Sequence, residues 1–179
     1  PFYIDLRRLA SFPHALQAVA RSFQRMLSRL TFDCIAAIPY AALPIGTAVS
    51  LATGWPLIYP RRERKQYGTR AAVDGAYHKG DIAVVLDDLV TTGESKFETI
   101  ETLRACGLEI RDIAVLIDRE QGAAATLTAS NYHLHAVVTI GELLTSWRDS
   151  VAIVAAQHAI VSNYLSQGSL GRSMPLPYT

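Results

Sequence analysis

Cysteine is scarce in this chain: there are two, Cys34 and Cys106, and they form no CxxC pair. Both lie in apolar surroundings and read as buried thiols of a reducing compartment, so the expected location is the cytoplasm. An excess of charge of either sign is also missing. A formal net charge of +1 argues against a general nucleic-acid binder, which needs a basic surplus. Between Asp33 and Arg61 no charged residue occurs, yet Pro39, Pro44, Gly46, Gly54 and Pro56 punctuate that stretch. No uninterrupted apolar run therefore reaches the ~20 residues a membrane span requires. Neither GxxxxGK[ST] nor GxGxxG is present, which removes the Walker loop and the dinucleotide fingerprint. No internal repeat is visible. The chain starts at Pro1 with no Met and no signal-peptide pattern, so upstream residues are expected to be missing by truncation or excision.

What is there suits a globular fold. Half of the 179 residues are hydrophobic, enough for one domain burying roughly 70% of its unfolded surface. The expected boundaries are a single domain over 1–166 and a loosely held polar tail over 167–179.

The chain is organised around Asp81 to Ser95, DIAVVLDDLVTTGES. Its apolar, β-branched run from Ile82 to Leu86 has the character of a strand buried on both faces, and Asp87 and Asp88 close it. A Thr-Thr-Gly-Glu-Ser loop follows, then a helical pattern through Phe97, Ile100, Leu103 and Cys106. Such a loop offers backbone N–H groups and hydroxyls to a phosphate, and the helix dipole favours an anion there. The acidic pair beside it can accept bonds from sugar hydroxyls or hold a hydrated Mg²⁺. Together these features make a phosphate-ester site.

Elsewhere the pattern alternates. PFYIDLRRL has strand character, and Pro13 opens a helix with its apolar stripe on Leu16, Val19, Ala20, Phe23, Met26, Leu27 and Leu30. Cys34–Ile38 predicts a buried strand with PYAALPIG as the loop after it, then a short helix over 47–53 and a strand over 56–59. From Arg61 to Gly80 no hydrophobic period survives, and Arg61, Arg62, Arg64, Lys65 and Arg70 crowd its first half. A polar stretch of that length inside a domain predicts a mobile lid over a polyanion, with Gly68 a hinge candidate. Strands follow over 110–117 and 131–139, the second carrying His133 and His135 as structural residues, and helices over 141–147 and 150–165. The expected fold is α/β: a mainly parallel twisted sheet with helices on both faces, plus a small N-terminal hood element. Ligands then belong at the strands' carboxyl ends, where PYAAL, DDLVTTGES and DREQG converge.

The run DLVTTGES after an apolar strand resembles the ribose-phosphate signature of the type I phosphoribosyltransferases, which bind PRPP. PFYIDLR, IPYAALPIGT, RRERKQYGT and IDREQGA occur here in the order seen in orotate phosphoribosyltransferase, most like the domain found in bifunctional UMP synthases. The resemblance covers about residues 1–145. It implies transfer of a phosphoribosyl group from PRPP to orotate, giving orotidine 5′-phosphate and pyrophosphate in pyrimidine synthesis. A PRPP-binding regulatory or inactive homologue, and a transferase for another base, are the alternatives.

The same resemblance implies the site. Lys65 and Arg62, with Asp87 and Asp88, match the family's catalytic positions. PRPP would meet Tyr40 and Ala41 at a pyrophosphate-side loop, Arg61, Arg62, Lys65 and Tyr67 on the lid, the ribose pair Asp87 and Asp88, and the phosphate cradle of Leu89, Val90, Thr91, Thr92, Gly93, Glu94 and Ser95. Orotate would meet Tyr3, Ile4, Thr91 and Arg119. Mg²⁺ is the implied cofactor, carried by PRPP with no direct protein ligand. A homodimer sharing the lid across subunits is implied as partner, with fusion to or association with orotidylate decarboxylase in the full protein. Three departures stand out. A Lys-Ser-Gly segment would precede PFYIDLR, Ala41 and Arg62 stand where many bacterial members have lysines, and Glu94 replaces a small residue. Glu94 is expected to point outward, because a carboxylate about 6 Å from a phosphate costs roughly 3 kcal/mol per charge.

Overall fold

The computed structural model describes residues 4–61, 72–150 and 163. Six strands, β1 (Cys34–Ala37), β2 (Leu57–Pro60), β3 (Val73–Asp74), β4 (Ile82–Val90), β5 (Glu109–Asp118) and β6 (His133–Thr139), form one sheet in the order β3-β2-β1-β4-β5-β6. Every neighbouring pair is parallel except β2–β3. The helices are α1 (Pro13–Leu27), α2 (Ala42–Thr53), α3 (Glu94–Ala105), α4 (Ala123–Ala129) and α5 (Ile140–Asp149).

The two-residue period of a strand decides which face each side chain serves. On β4, Ala83 and Val85 pack with Ile100 and Leu103 of α3 and Leu127 of α4. Their neighbours Val84 and Leu86 turn the other way, against Phe23 and Leu27 of α1 and Ile45 and Val49 of α2. Residues 113–116 of β5 split in the same manner. Burial on both faces is why these strands read as continuous apolar runs, and each fully buried Leu, Ile or Phe stabilises by roughly 1.5–3 kcal/mol.

The sheet's order reverses at one place. The chain leaves β1 for α2 on one face and then adds β2, whereas it leaves β4 for α3 on the opposite face and then adds β5. The carboxyl ends of β1 and β4, neighbours in the ladder through the Ile38 N–H to Leu86 O bond of 2.9 Å, therefore flank a crevice.

Several elements differ from expectation. Residues 6–11 form a 3-10 helix rather than a strand, because Asp5 accepts from the Arg7 N–H (3.2 Å) and turns the chain; residues 1–3 lie outside the described set. PYAALPIG is largely helix: α2 starts at Ala42, with Pro44 in the first turn, where a missing N–H is harmless. β4 extends through the acidic pair to Val90. The helix α4, absent from the periodicity reading, follows Gly122 and is too short and alanine-rich to show an apolar stripe. His135 pairs with Asp112 across β5 and β6 at 2.7 Å, and His133 is exposed. The helix expected over 150–165 and the tail fall outside the described residues, apart from helical Asn163.

α2 can lie close on the sheet because Gly46 has no side chain: a Cβ there would sit 2.9 Å from Ala37 Cβ and 3.1 Å from Leu57 Cδ1. Gly46→Ala is therefore expected to lower stability by about 1–3 kcal/mol, overturning the usual helical preference for alanine. Urea unfolding checks this, and adding Ala37→Gly should recover part of the loss.

Candidate active site

The crevice between β1 and β4 holds a cleft of about 640 Å³. Tyr40 and Ala41 line one side, Pro60 and Arg61 a second, and Asp87, Asp88, Ser95 and Lys96 the floor and far wall. The Pro39–Tyr40 peptide is cis, and Tyr40 is 64% exposed at the rim. A wider depression of about 810 Å³ lies at Glu120, Thr139, Gly141 and Glu142. Its charged lining residues are two carboxylates and no cation, the wrong sign for a phosphate ester.

On the floor, β4 presents its acidic pair in unequal settings. Asp87 is 6% exposed; one oxygen accepts from the Asp88 N–H (2.8 Å) and the other is held by Lys96. Asp88 is half-buried, and one of its oxygens accepts from the Leu89 N–H at 2.8 Å. Burial, and then the neighbouring Asp87 carboxylate, push the Asp88 carboxyl up to about 7.

Beyond β4 the chain turns through Thr91, half-buried, and Thr92, exposed, to Gly93, where φ is 87°. Gly93 precedes α3, and its carbonyl accepts from the Lys96 N–H at 3.0 Å. Glu94 is exposed in the first turn of α3, where a carboxylate favours the helix dipole. Of this loop, Ser95 lines the cleft. On the opposite bank Arg61 donates through Nε and Nη2 to the two oxygens of Asp74, at 2.8 and 2.5 Å. This bidentate pair spans the antiparallel β2–β3 ladder and keeps the guanidinium charged beside the cleft.

The structure thus brings Tyr40, Ala41, Arg61, Asp87, Asp88 and Ser95 together. Arg119 is not among the residues lining that cleft: it is half-buried just after β5, its backbone N–H donating to Val90 O of β4 at 3.0 Å. Ile4 packs into the core on the α1–α2 side of the sheet. Tyr3, Arg62, Lys65 and Tyr67 lie outside the described residues. Two residues of this region were missed from the sequence, Lys96 and Asp74. Lys96 carried a signal: positions 96, 100 and 103 share one helix face, and Ile100 and Leu103 are core. A lysine on a buried stripe demands a buried anion. No group of three or more His, Cys, Asp or Glu side chains among the described residues is placed to hold a metal. No described helix is long and apolar enough to cross a membrane.

A mainly parallel sheet reversing beside a glycine-turned loop, with carboxylates below and a cation opposite, defines an α/β protein with a charged crevice at its switch point. Residues 6–131 match the family described as phosphoribosyl transferase domain. The uridine 5′-monophosphate synthase of Bos taurus is 34% identical over 177 residues, covering 98% of this chain and 37% of its own length. The orotate phosphoribosyltransferase of Thermococcus gammatolerans is 37% identical over 145 residues, covering 80% and 77%. Among solved structures, UMP synthase of Leishmania donovani superposes with a TM-score of 0.88 at 50% identity, over 93% of this chain and 36% of that one. The chain belongs to the phosphoribosyltransferase family and, within it, to the orotate phosphoribosyltransferases. It spans little more than a third of the two UMP synthases it matches.

Two outcomes follow from the floor of the cleft. Between about pH 4 and 7 the folded protein keeps a proton on Asp88 that the unfolded chain, with an ordinary carboxyl near 3.9, has released. Stability therefore falls as pH rises from about 4 to about 7. Denaturant midpoints at pH 5 and 8 should show wild type losing stability relative to Asp88→Asn across that window. Separately, Gly93→Ala forces a Cβ into a left-handed conformation 3.2 Å from Leu127 Cγ. It should cost about 1–2 kcal/mol, read as a lowered Tm, and weaken phosphate binding.

Proposed function

We propose that this domain transfers the 5-phosphoribosyl group of PRPP to orotate, releasing pyrophosphate and forming orotidine 5′-phosphate. The observation that carries this is the cleft at the β1–β4 crevice, where Asp88 and the loop entering α3 face Tyr40, Ala41 and Arg61. Breaking the bond from C1 to the diphosphate leaves positive charge on the ribose ring and builds negative charge on the departing group. Such a step needs charge placed in advance and water kept out, more than it needs a strong base.

Each residue then has a task. The turn at Gly93 and the amino end of α3 receive the 5′-phosphate on backbone N–H groups, aided by the hydroxyls of Thr91, Thr92 and Ser95. Asp88, backed by Asp87, accepts from the ribose hydroxyls and favours the positive ring. Tyr40, Ala41 and Arg61 face the diphosphate. Arg62, Lys65 and Tyr67 complete that cationic side from the segment between β2 and β3. Arg119 takes orotate's carboxylate, where a planar fork suits a planar anion, with Tyr3, Ile4 and Thr91 around the base.

Mg²⁺ would arrive on the diphosphate, with Asp87 and Asp88 able to reach it through water. Bound there, it would neutralise charge on the leaving group. A homodimer sharing the basic segment, a cytoplasmic location, and fusion to or association with orotidylate decarboxylase belong to the same reading. The similarity to UMP synthases supports the last of these.

The test is pyrophosphate release from PRPP in the presence of orotate, uracil, adenine or hypoxanthine. Orotate alone should support turnover. Uracil, which lacks the carboxylate, should be slower by about 100-fold or more, as expected when a charged hydrogen bond is lost. Release with a purine instead, or PRPP binding without turnover on any base, would refute the assignment.

A further inference from the structure

One buried cation takes no direct part in that reaction. Lys96, 6% exposed, projects from the first turn of α3 beneath the phosphate loop. Its ammonium donates to the Asp87 carboxylate and to Leu89 O, the latter at 3.1 Å. Residues 87 and 89 lie near the end of β4 and residue 96 lies in α3. A single ammonium thus ties together both ends of the loop that turns at Gly93.

The arrangement also makes the two aspartates do different things. Both oxygens of Asp87 are engaged, one by Lys96 and one by the Asp88 N–H. Both line the cleft, and Asp88 is the more exposed of the two. Lys96 lines the cleft as well, and its charge offsets one of the three carboxylates that line it, Asp87, Asp88 and Glu98. Without that offset the site would repel the ligand it is shaped for.

We propose that Lys96 is a positioning residue for the sugar-phosphate site. It occupies the second oxygen of Asp87, pins the loop between β4 and α3, and leaves Asp88 as the carboxylate that meets the ribose. This inference rests on the phosphoribosyl-transfer reading and adds a residue to it.

The experiment compares PRPP binding by calorimetry, and steady-state kinetics, for wild type, Lys96→Met, Asp88→Asn and the double variant Lys96→Met/Asp87→Asn. Lys96→Met strands a buried carboxylate and is expected to raise KM for PRPP by about tenfold or more, with KM for orotate changed by less than about twofold. A merely structural defect would reduce the active fraction, and so the apparent kcat, and leave both KM values alone. Should Lys96→Met fail to fold, the double variant removes both charges together and is the one expected to fold. It should bind PRPP more weakly than wild type but more tightly than Asp88→Asn, whose loss is expected to be about 30-fold or more. A double variant as impaired as Asp88→Asn would show that Asp87 itself meets the ligand and would overturn the inference. So would unchanged KM for PRPP in Lys96→Met. Failure of the wild-type protein to bind PRPP is a different result: it removes the proposed function, and this role with it.

Discussion

Two parallel strands lie side by side and send their chains to opposite faces of the sheet. The loop after β1 enters α2, and the loop after β4 enters α3 across the sheet from it. Neither connection can close over the gap, so a crevice remains at their carboxyl ends. Everything assigned to the site is placed by that divergence. Tyr40 and Ala41 stand on one lip, and Asp87, Asp88 and Ser95 stand on the other. Close approaches such as Gly46 against Ala37 seat α2 on the sheet.

The cleft is charged on opposite banks, and each charge has a local reason to stay where it is. Arg61 is aimed by Asp74, which reaches it only because β3 runs antiparallel to β2. Asp87 is held by Lys96 from the next helix, and Asp88 is crowded by both burial and Asp87. The result is a set of groups whose orientation is established before any ligand arrives. That suits a reaction in which charge separates and the protein has little covalent work to do. An exposed Glu94 contributes to the helix dipole rather than to the repulsion of a phosphate.

Much of this was legible in the chain. The runs at Cys34–Ala37 and Ile82–Leu86 could only be strands covered on both sides, because nothing polar interrupts them for a solvent face. The stripe of α1 and its start at Pro13 followed from helical spacing and from the missing N–H of proline. The Asp-Asp pair and the Thr-Thr-Gly turn marked, on chemistry alone, the stretch that borders the cleft. The misreadings were local. Residues 2–7 alternate like a strand, yet residues 6–11 coil into a 3-10 helix, because the short Asp5 side chain reaches the Arg7 amide. The helix α4 was passed over because alanine and threonine carry almost no periodic signal.

The sequence by itself determined which segments are core, where the glycine-turned loop before α3 falls, and which family the chain resembles. These are properties of neighbouring residues: apolar period, a glycine where the backbone must turn left-handed, adjacent carboxylates. Only the tertiary structure decided that the aspartates are unequal, that Lys96 reaches Asp87, that Arg61 is gripped by Asp74, and that Arg119 is not among the residues lining the cleft. Each of those facts depends on side chains meeting across separate elements. No spacing along the chain encodes which of two adjacent carboxylates a lysine from the next helix will reach.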